Sequence, residues 1–286
     1  MPHARRAPAG LPEHLARLER CLVMGVLNVT ADSFSDGGRY LHPADAVKHG
    51  LELAARGADL VDVGGESTRP GAAPVPEAEE MARVVPLIEA IRAESDVRLS
   101  IDTMKPAVAE AAVAAGASVW NDVTALSGAP DSLERAARLG RPVVLMHMKG
   151  SPATMQRDPH YEDVLAEVSD FLLARAEAAM GAGVAREAIM LDPGIGFGKS
   201  LAHNLTLLAH LDRIVALGFP VVLGVSRKRF VQAIDPTAGD ANDRIGGSLA
   251  AALAGARAGV AVIRAHDVRQ TVQALQVWTA IEEARA

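Results

Sequence analysis

Short apolar runs alternate with longer amphipathic segments along the chain from residue 22 onward. The short runs are rich in Val, Ile and Leu, and the longer segments are rich in Ala, with polar residues at helical spacing. This alternation is typical of a parallel sheet whose strands are joined by helices. The pattern predicts strands near residues 22–27, 59–63, 98–101, 118–120, 142–146, 188–191, 220–224 and 260–264. It predicts helices over residues 43–56, 77–94, 105–115, 131–139, 160–182, 200–217, 242–258 and 267–284.

Eight strand-helix units indicate a single (β/α)8 TIM barrel over residues 21–286. Glycine recurs where a predicted helix ends before the next strand, which supports a repeated architecture because glycine accepts the left-handed conformation that ends many helices. These glycines are Gly57, Gly116, Gly218 and Gly259. A doubly wound open sheet is the main alternative, but the dinucleotide fingerprint expected after its first strand is absent. Residues 1–20 lie outside the pattern and are predicted to be a tail or a cover for the barrel bottom.

Composition and charge narrow the classes of partner. The net charge is −6 and no block of Lys or Arg is present, so we expect no binding to nucleic acid and no attraction to an anionic membrane. The longest apolar stretch, residues 249–263, is short for a membrane span and contains Arg257. A single cysteine, Cys21, permits no internal disulfide, and the N-terminal residues lack the apolar core of a secretory signal. These features predict a cytoplasmic protein.

Polar residues follow the predicted strands, where a TIM barrel places its active site. In strand order they are Asn28, Asp62, Asp102, Asn121 with Asp122, His147 after Met146, Asp192, Ser226 to Lys228, and Arg264 with His266. Asp62 and Asp122 are equally well explained as caps of the following turn or helix. Asp102 and Asp192 each end an apolar run, so they should point into a partly dry mouth where a carboxylate needs a donor-rich partner.

A pterin has adjacent amino and ring N–H donors and therefore suits these two carboxylates. Asn121 would complement a ring N–H or acceptor, and Lys228 would bind the carbonyl or N5. Met146 is explained equally well by core packing and by a contact beneath the ring. Arg264 and His266, together with Asn28, form a candidate anion site.

The segment 192–199 resembles a phosphate-binding loop, but only three residues separate Gly194 from Gly198. The Walker spacing requires four, so an ATPase is not expected and the glycines are interpreted as a sharp turn beneath a ring. Residues 32–39 and 64–73 mix Gly, Ser and Pro with a few larger side chains, and they are predicted to be lids that order over the substrates.

Taken together, the strand-end motifs resemble those of the dihydropteroate synthase family over nearly the whole chain from residue 22 to about 270. The segments that carry the resemblance are 24–38, 64–71, 101–103, 120–123, 145–148, 191–199, 224–228 and 264–268. The resemblance implies a Mg²⁺-assisted, SN1-like condensation of 6-hydroxymethyl-7,8-dihydropterin diphosphate with 4-aminobenzoate. The products would be 7,8-dihydropteroate and diphosphate, in folate synthesis.

The resemblance also implies roles for individual residues. The pterin would be bound by Asp102, Asn121, Met146, Asp192, Lys228 and Arg264. The diphosphate would be held by Asn28, Arg69, Arg264 and His266, with Asn28 as the metal ligand. The aminobenzoate would be bordered by Thr68, Pro70, Ser226 and Arg229. The catalytic residues would be Asn28, Asp102, Lys228, Arg264 and His266.

Two other functions fit parts of this pattern. A barrel methyltransferase that uses methyltetrahydrofolate would share the pterin-binding residues but would not need an anion cluster. A catalytically inactive pterin-binding protein would keep the pocket, although its lids would have no evident purpose. The resemblance also implies a homodimer, for which the Ala-rich segment 248–254 and the segment 272–278 are the candidate contacts, with ordinary barrel packing as the alternative.

Overall fold

Eight parallel strands lie at the centre of the computed structural model, which describes residues 20–29, 43–68 and 71–285. In the sheet each strand pairs with its neighbours in the order β6-β5-β4-β3-β2-β1-β8-β7, and a parallel bridge from Leu191 to Val221 joins the two ends. This closes the sheet, and the predicted (β/α)8 barrel is confirmed. The strands are β1 Leu22–Asn28, β2 Leu60–Gly64, β3 Arg98–Asp102, β4 Val119–Asp122, β5 Val143–Met146, β6 Ile189–Asp192, β7 Val222–Gly224 and β8 Val262–Ala265.

Ten α-helices are found within the described residues. They are α1 Pro43–Ala55, α2 Glu77–Glu94, α3 Pro106–Ala114, α4 Ser132–Leu139, α5 Val164–Gly181, α6 Leu201–Ala209, α7 Leu211–Val215, α8 Arg229–Ile234, α9 Ile245–Ala258 and α10 Val268–Glu283. Short 3₁₀ turns at Arg186–Ala188 and Asn242–Arg244 precede β6 and α9.

The helix predictions differ from the structure in two places. The single helix predicted over 200–217 is wrong, because His210 leaves the helical region, with φ −121° and ψ 31°, and separates α6 from α7. The short helix α8 was not predicted, since six residues are too few to show a periodic pattern. The four glycines at the helix-to-strand joins all have positive φ, as expected, with values of 97°, 119°, 82° and 99°.

The barrel interior changes from apolar to polar along the strands. Side chains two residues apart on a strand face the same side. On four strands an apolar inward residue is followed two positions later by a polar one, and these pairs are Leu60 and Asp62, Val119 and Asn121, Met190 and Asp192, and Val262 and Arg264. The lower residues pack together as an apolar cluster with Leu22, Met24, Val144 and Val222. An apolar plug therefore closes the barrel beneath a polar mouth.

An ion pair fixes the barrel bottom where β1 begins. Arg20 donates to both carboxylate oxygens of Asp59 at 2.6 and 2.8 Å, and Asp59 Oδ2 also accepts the N–H of Val23 at 2.9 Å. Residues 1–19 lie outside the described residues, so the assignment of 1–20 as a tail or cover stays a prediction. Among the described helices, none has the length and apolar character needed to cross a membrane.

Candidate active site

One arginine joins two carboxylates from other strands at the mouth, and an asparagine bonds to one of them. Arg264 of β8 donates through Nε to Asp62 Oδ2 at 2.7 Å and through Nη2 to Asp102 Oδ2 at 2.8 Å. Asn121 Nδ2 donates to the same Asp62 oxygen at 3.0 Å. We call Asp62, Asp102, Asn121 and Arg264 the arginine cluster. Its geometry follows from the inward-facing strand positions, which bring β8, β2, β3 and β4 side chains to one level.

The arginine cluster contains more acceptors than donors. Burial raises the pKa of Asp102 to about 7, and the nearby charge of Asp62 adds to this effect while Arg264 opposes it. Burial acts to lower the pKa of Arg264, but the carboxylates of Asp62 and Asp102 raise it above its ordinary value. Asp62 Oδ1 is buried and has no hydrogen-bond partner among the described side chains and backbone. The cluster is therefore suited to a ligand that brings N–H donors.

Sequence reasoning left Asp62 out of the predicted site. Asp62 is not a cap, because its side chain bonds to Arg264 and Asn121 inside the barrel. The capping alternative is correct for Asp122, whose carboxylate accepts the backbone N–H groups of Thr124 and Leu126 at 2.7 and 2.9 Å. Asp62 is followed in its strand by the buried Val63, whereas Asp122 is the last residue of β4, and this difference was the signal that could have separated them.

A second group of charges lies at the ends of β6 and β7. Asp192 Oδ1 accepts the N–H of Gly194 at 2.7 Å, and Lys228 Nζ donates to the carbonyl of Ile195. Burial raises the pKa of Asp192, against the opposing charge of Lys228. Burial lowers the pKa of Lys228 to about 8, while Asp192 opposes this shift.

Gly224 leaves open the space between Asp192 and Lys228. A methyl group placed on it would lie 3.7 Å from Lys228 Nζ and 4.0 Å from Asp192 Oδ2. Gly224 is also the register partner of Arg264, so the second group of charges adjoins the arginine cluster. Met146 is buried at the end of β5 as the register partner of Asp192.

Asn28 lies at the end of β1, close to the arginine cluster. Its Oδ1 would be 3.1 Å from a Cβ placed on Gly64, and the Cβ of Asp102 would be 3.6 Å from the same point. A side chain in place of Gly64 would therefore crowd both residues. The predicted anion-binding residue Asn28 and the predicted pterin-binding residue Asp102 thus lie on the same part of the rim.

Ser226 and His266 come together across β7 and β8. The Ser226 hydroxyl accepts the backbone N–H of His266 at 3.1 Å and lies 3.1 Å from its Nδ1. Between Ser226 and Lys228, Arg227 has a φ of 60° and pairs with Asp267 at 2.7 Å. A left-handed conformation in a non-glycine residue is strained, and the ion pair helps to hold it so that the residues on either side remain at the mouth.

Of the remaining predicted residues, two lie within the described part of the chain. Thr68 is half-buried, and Arg229 is exposed as the first residue of α8. Arg69 and Pro70 lie outside the described residues, as does the predicted lid at 32–39. Near the loop that follows β2, Lys105 pairs with the buried Glu80 at 2.6 Å and also with Glu66. The sequence pattern did not predict this arrangement.

A half-buried arginine between carboxylates, next to a lysine and an aspartate in a barrel mouth, defines a site for a flat ligand rich in N–H groups. Residues 24–266 match the family model described as pterin binding enzyme, and the chain belongs to this family.

Within the family, the chain is similar to dihydropteroate synthases. It is 46% identical to that of Escherichia coli (strain K12), with 92% of each chain covered. A solved Xanthomonas albilineans dihydropteroate synthase with 4-aminobenzoic acid is 51% identical, with a TM-score of 0.86 and coverage of 92% of this chain and 93% of that one. The same enzyme in complex with 7,8-dihydropteroate is 49% identical, with a TM-score of 0.83 and coverage of 92% and 94%.

These findings confirm the predicted family, and with it the predicted transferase activity of folate biosynthesis. The methyltransferase and the inactive pterin-binding protein find no support among the relatives described above. The roles of individual residues are a separate question, which the geometry of the mouth addresses.

Proposed function

We propose that the barrel mouth itself joins 6-hydroxymethyl-7,8-dihydropterin diphosphate to 4-aminobenzoate, with the pterin seated between the arginine cluster and Asp192. The observation that carries this proposal is the surplus of buried acceptors around Arg264, which includes the unpartnered Oδ1 of Asp62. A pterin supplies the donors that these oxygens lack.

Asp102 and Asp192 accept hydrogen bonds from the amino group and ring N–H groups of the pterin, and Asn121 bonds to the same edge. Lys228 donates to the ring carbonyl or N5 after it leaves the Ile195 carbonyl, which it contacts in this structure. Met146 and Arg264 pack on the two faces of the ring. Because Asp62 and Asp102 both hold Arg264, its guanidinium plane has a fixed orientation.

Asn28, Arg69, Arg264 and His266 hold the diphosphate, and Asn28 would also hold the Mg²⁺ that accompanies it. The donor set fits this ion, because Mg²⁺ is usually bound by one or two protein oxygens together with substrate phosphates. When bound, Mg²⁺ neutralises part of the charge that develops on the leaving diphosphate.

The reaction begins with cleavage of the bond from the pterin methylene carbon to the diphosphate oxygen, and the electron pair leaves with the diphosphate. Arg264 and His266 stabilise the departing anion, while the carboxylates of Asp102 and Asp192 stabilise the pterin cation. The aniline nitrogen of 4-aminobenzoate then forms the new C–N bond with its lone pair, and its proton passes to the departed diphosphate or to water. That substrate is bordered by Thr68, Pro70, Ser226 and Arg229, which hold it close to the cation. Because the amine attacks the cation directly, no covalent enzyme intermediate is required.

A direct assay tests the proposal. The purified chain is incubated with Mg²⁺, the pterin diphosphate and 4-aminobenzoate, and both diphosphate release and dihydropteroate are measured. We expect equal amounts of the two products, dependent on both substrates. The absence of dihydropteroate at saturating substrate concentrations would contradict the proposal.

We also propose that the chain forms a cytoplasmic homodimer. On α10, Val277 and Ile281 are 57% and 48% exposed and lie one turn apart, next to the half-buried Trp278. We expect sedimentation to give a dimer mass for the wild-type chain and a monomer mass for the Val277→Glu, Ile281→Glu double variant. A wild-type monomer would contradict this part of the proposal.

A further inference from the structure

The loop after β6, residues 193–199, contacts both charged groups on its side of the mouth. The Gly194 N–H donates to Asp192 Oδ1 at 2.7 Å. The Ile195 carbonyl accepts from Lys228, and the Phe197 ring centroid lies 4.6 Å from Lys228 Nζ. The course of this loop, which we call the β6 loop, therefore sets the positions of Asp192 and Lys228 relative to each other.

Lys199, the last residue of the β6 loop, folds back beneath it. Its side chain is almost fully buried, and Nζ donates to the carbonyls of Gly194 and Phe197, both at 3.0 Å. The same Nζ lies 2.8 Å from His147 Nδ1 and 3.3 Å from the His147 carbonyl, at the end of β5. One ammonium thus joins two points of the β6 loop to the neighbouring strand end.

The charge states of the two side chains suit this contact. Burial, together with the charge of Lys199, lowers the pKa of His147 to about 3, so Nδ1 is a neutral acceptor at neutral pH. Burial of a cation is unfavourable, and a loop that needed only internal packing would be served by a neutral side chain. Four acceptor atoms converge on Nζ and favour a donor-rich group at this position, although burial lowers the pKa of Lys199 to about 7.

We propose that Lys199 is a positioning residue for the reaction. By fixing the Gly194 and Phe197 carbonyls, it holds the β6 loop so that Asp192 and Lys228 keep the spacing that the pterin requires. This inference rests on the proposed pterin-binding roles of those two residues. Lys199 acts through them and makes no contact with the reacting atoms.

Tyr161 lies outside the β6 loop but bonds to it, and it provides a matched control. Its hydroxyl donates to the Gly198 carbonyl at 2.8 Å, and its side chain is also buried. A Cβ on Gly198 would meet the backbone of Lys149, whereas neither Asp192 nor Lys228 is among its nearest neighbours. Tyr161→Phe therefore removes a buried hydrogen bond from the β6 loop without disturbing the pair of pterin-binding groups.

The test compares Lys199→Met with Tyr161→Phe by steady-state kinetics and thermal unfolding of the full chain. We expect Lys199→Met to raise the KM for the pterin diphosphate by about tenfold, the equivalent of one lost polar contact, with the KM for 4-aminobenzoate changed less than about twofold. Tyr161→Phe should lower Tm but leave both KM values within about twofold of wild type. Equal kinetic effects of the two variants, or an unchanged pterin KM in Lys199→Met, would overturn the proposal.

Lys199→Gln keeps an N–H donor in place of the ammonium. Its pterin KM should fall between those of wild type and Lys199→Met. If Lys199→Met does not fold, the comparison is made between Lys199→Gln and Tyr161→Phe, and a wild-type pterin KM in Lys199→Gln would contradict the inference. A wild-type chain that forms no dihydropteroate would sink the proposed function instead, so the two failures are distinguishable.

Discussion

On one side of the barrel mouth Asp102 is held by a side chain from another strand, whereas on the other side Asp192 is held by the backbone of its own loop. Arg264 reaches Asp102 at 2.8 Å from β8, and the Gly194 N–H reaches Asp192 at 2.7 Å from the β6 loop. The arginine cluster is thus set by strand register, while the spacing of Asp192 and Lys228 is set by a loop that Lys199 fixes from below. Changes to the first should cost stability, and changes to the second should mainly alter binding.

The largest expected effect is that of Arg264→Met. It leaves the carboxylates of Asp62 and Asp102 buried without their cation, and removal of one partner of a buried ion pair typically costs about 3–5 kcal/mol. We expect a loss of that order in the free energy of unfolding, measured by urea denaturation, together with loss of activity. Arg135→Met, which breaks surface pairs with Asp131 and Glu110, should change the unfolding curve far less. Similar unfolding curves for the two variants would contradict the comparison.

Asp102→Asn, which lies in the arginine cluster, should weaken pterin binding in addition to its cost in stability. Because a hydrogen bond to a charged group contributes about 1.5–3 kcal/mol, we expect the pterin affinity to fall by roughly tenfold to one hundredfold. A dihydropterin without diphosphate, titrated by fluorescence, measures this directly. His266→Ala is the counterpart: it should weaken binding of the pterin diphosphate but leave the affinity for the dihydropterin unchanged. If both variants bind the pterin diphosphate like wild type, the residue assignment is wrong.

The contribution of Lys199 in the β6 loop to the free energy of unfolding should depend on pH. Burial lowers the pKa of Lys199 to about 7, the positive charge of Lys228 acts in the same direction, and Asp192 opposes it. In the unfolded chain its pKa is about 10.4, so between these values the unfolded state binds more protons and stability from this group rises with pH. The free energy of unfolding of wild type relative to Lys199→Met should therefore increase by about 2 kcal/mol from pH 7 to pH 8.5. A difference that is flat or falls with pH would contradict this assignment.

Gly224→Ala should have the smallest effect on stability, although it lies between the two sides. Its methyl group would make ordinary contacts with Lys228 and Asp192, so we expect the free energy of unfolding to change by less than about 0.5 kcal/mol. The methyl group would nevertheless occupy part of the proposed pterin site. The pterin KM should therefore rise by roughly threefold to tenfold. Gly181→Ala, at a helix end with open space around it, is the control and should leave the KM unchanged.

The sequence alone determined the barrel and most of its rim. Alternating apolar runs and Ala-rich segments predicted eight strands and their positions along the chain, because burial and helical periodicity are local properties of the chain. The polar residues at the strand ends followed from the same pattern. Asp102, Asn121 and Arg264, predicted separately, meet in the structure because parallel strands place their C-terminal ends at one level.

Only the tertiary structure decided which of these groups bind each other. Asp62 was left out of the predicted site, and only the closed barrel brings Arg264 to it from 202 residues away in sequence. Lys199 read as the end of an apparent phosphate loop, but its ammonium turns inward to His147, 52 residues earlier. Such contacts depend on which strands become neighbours and which way a side chain turns at a loop, and neither property is written in the local pattern of hydrophobic and polar residues.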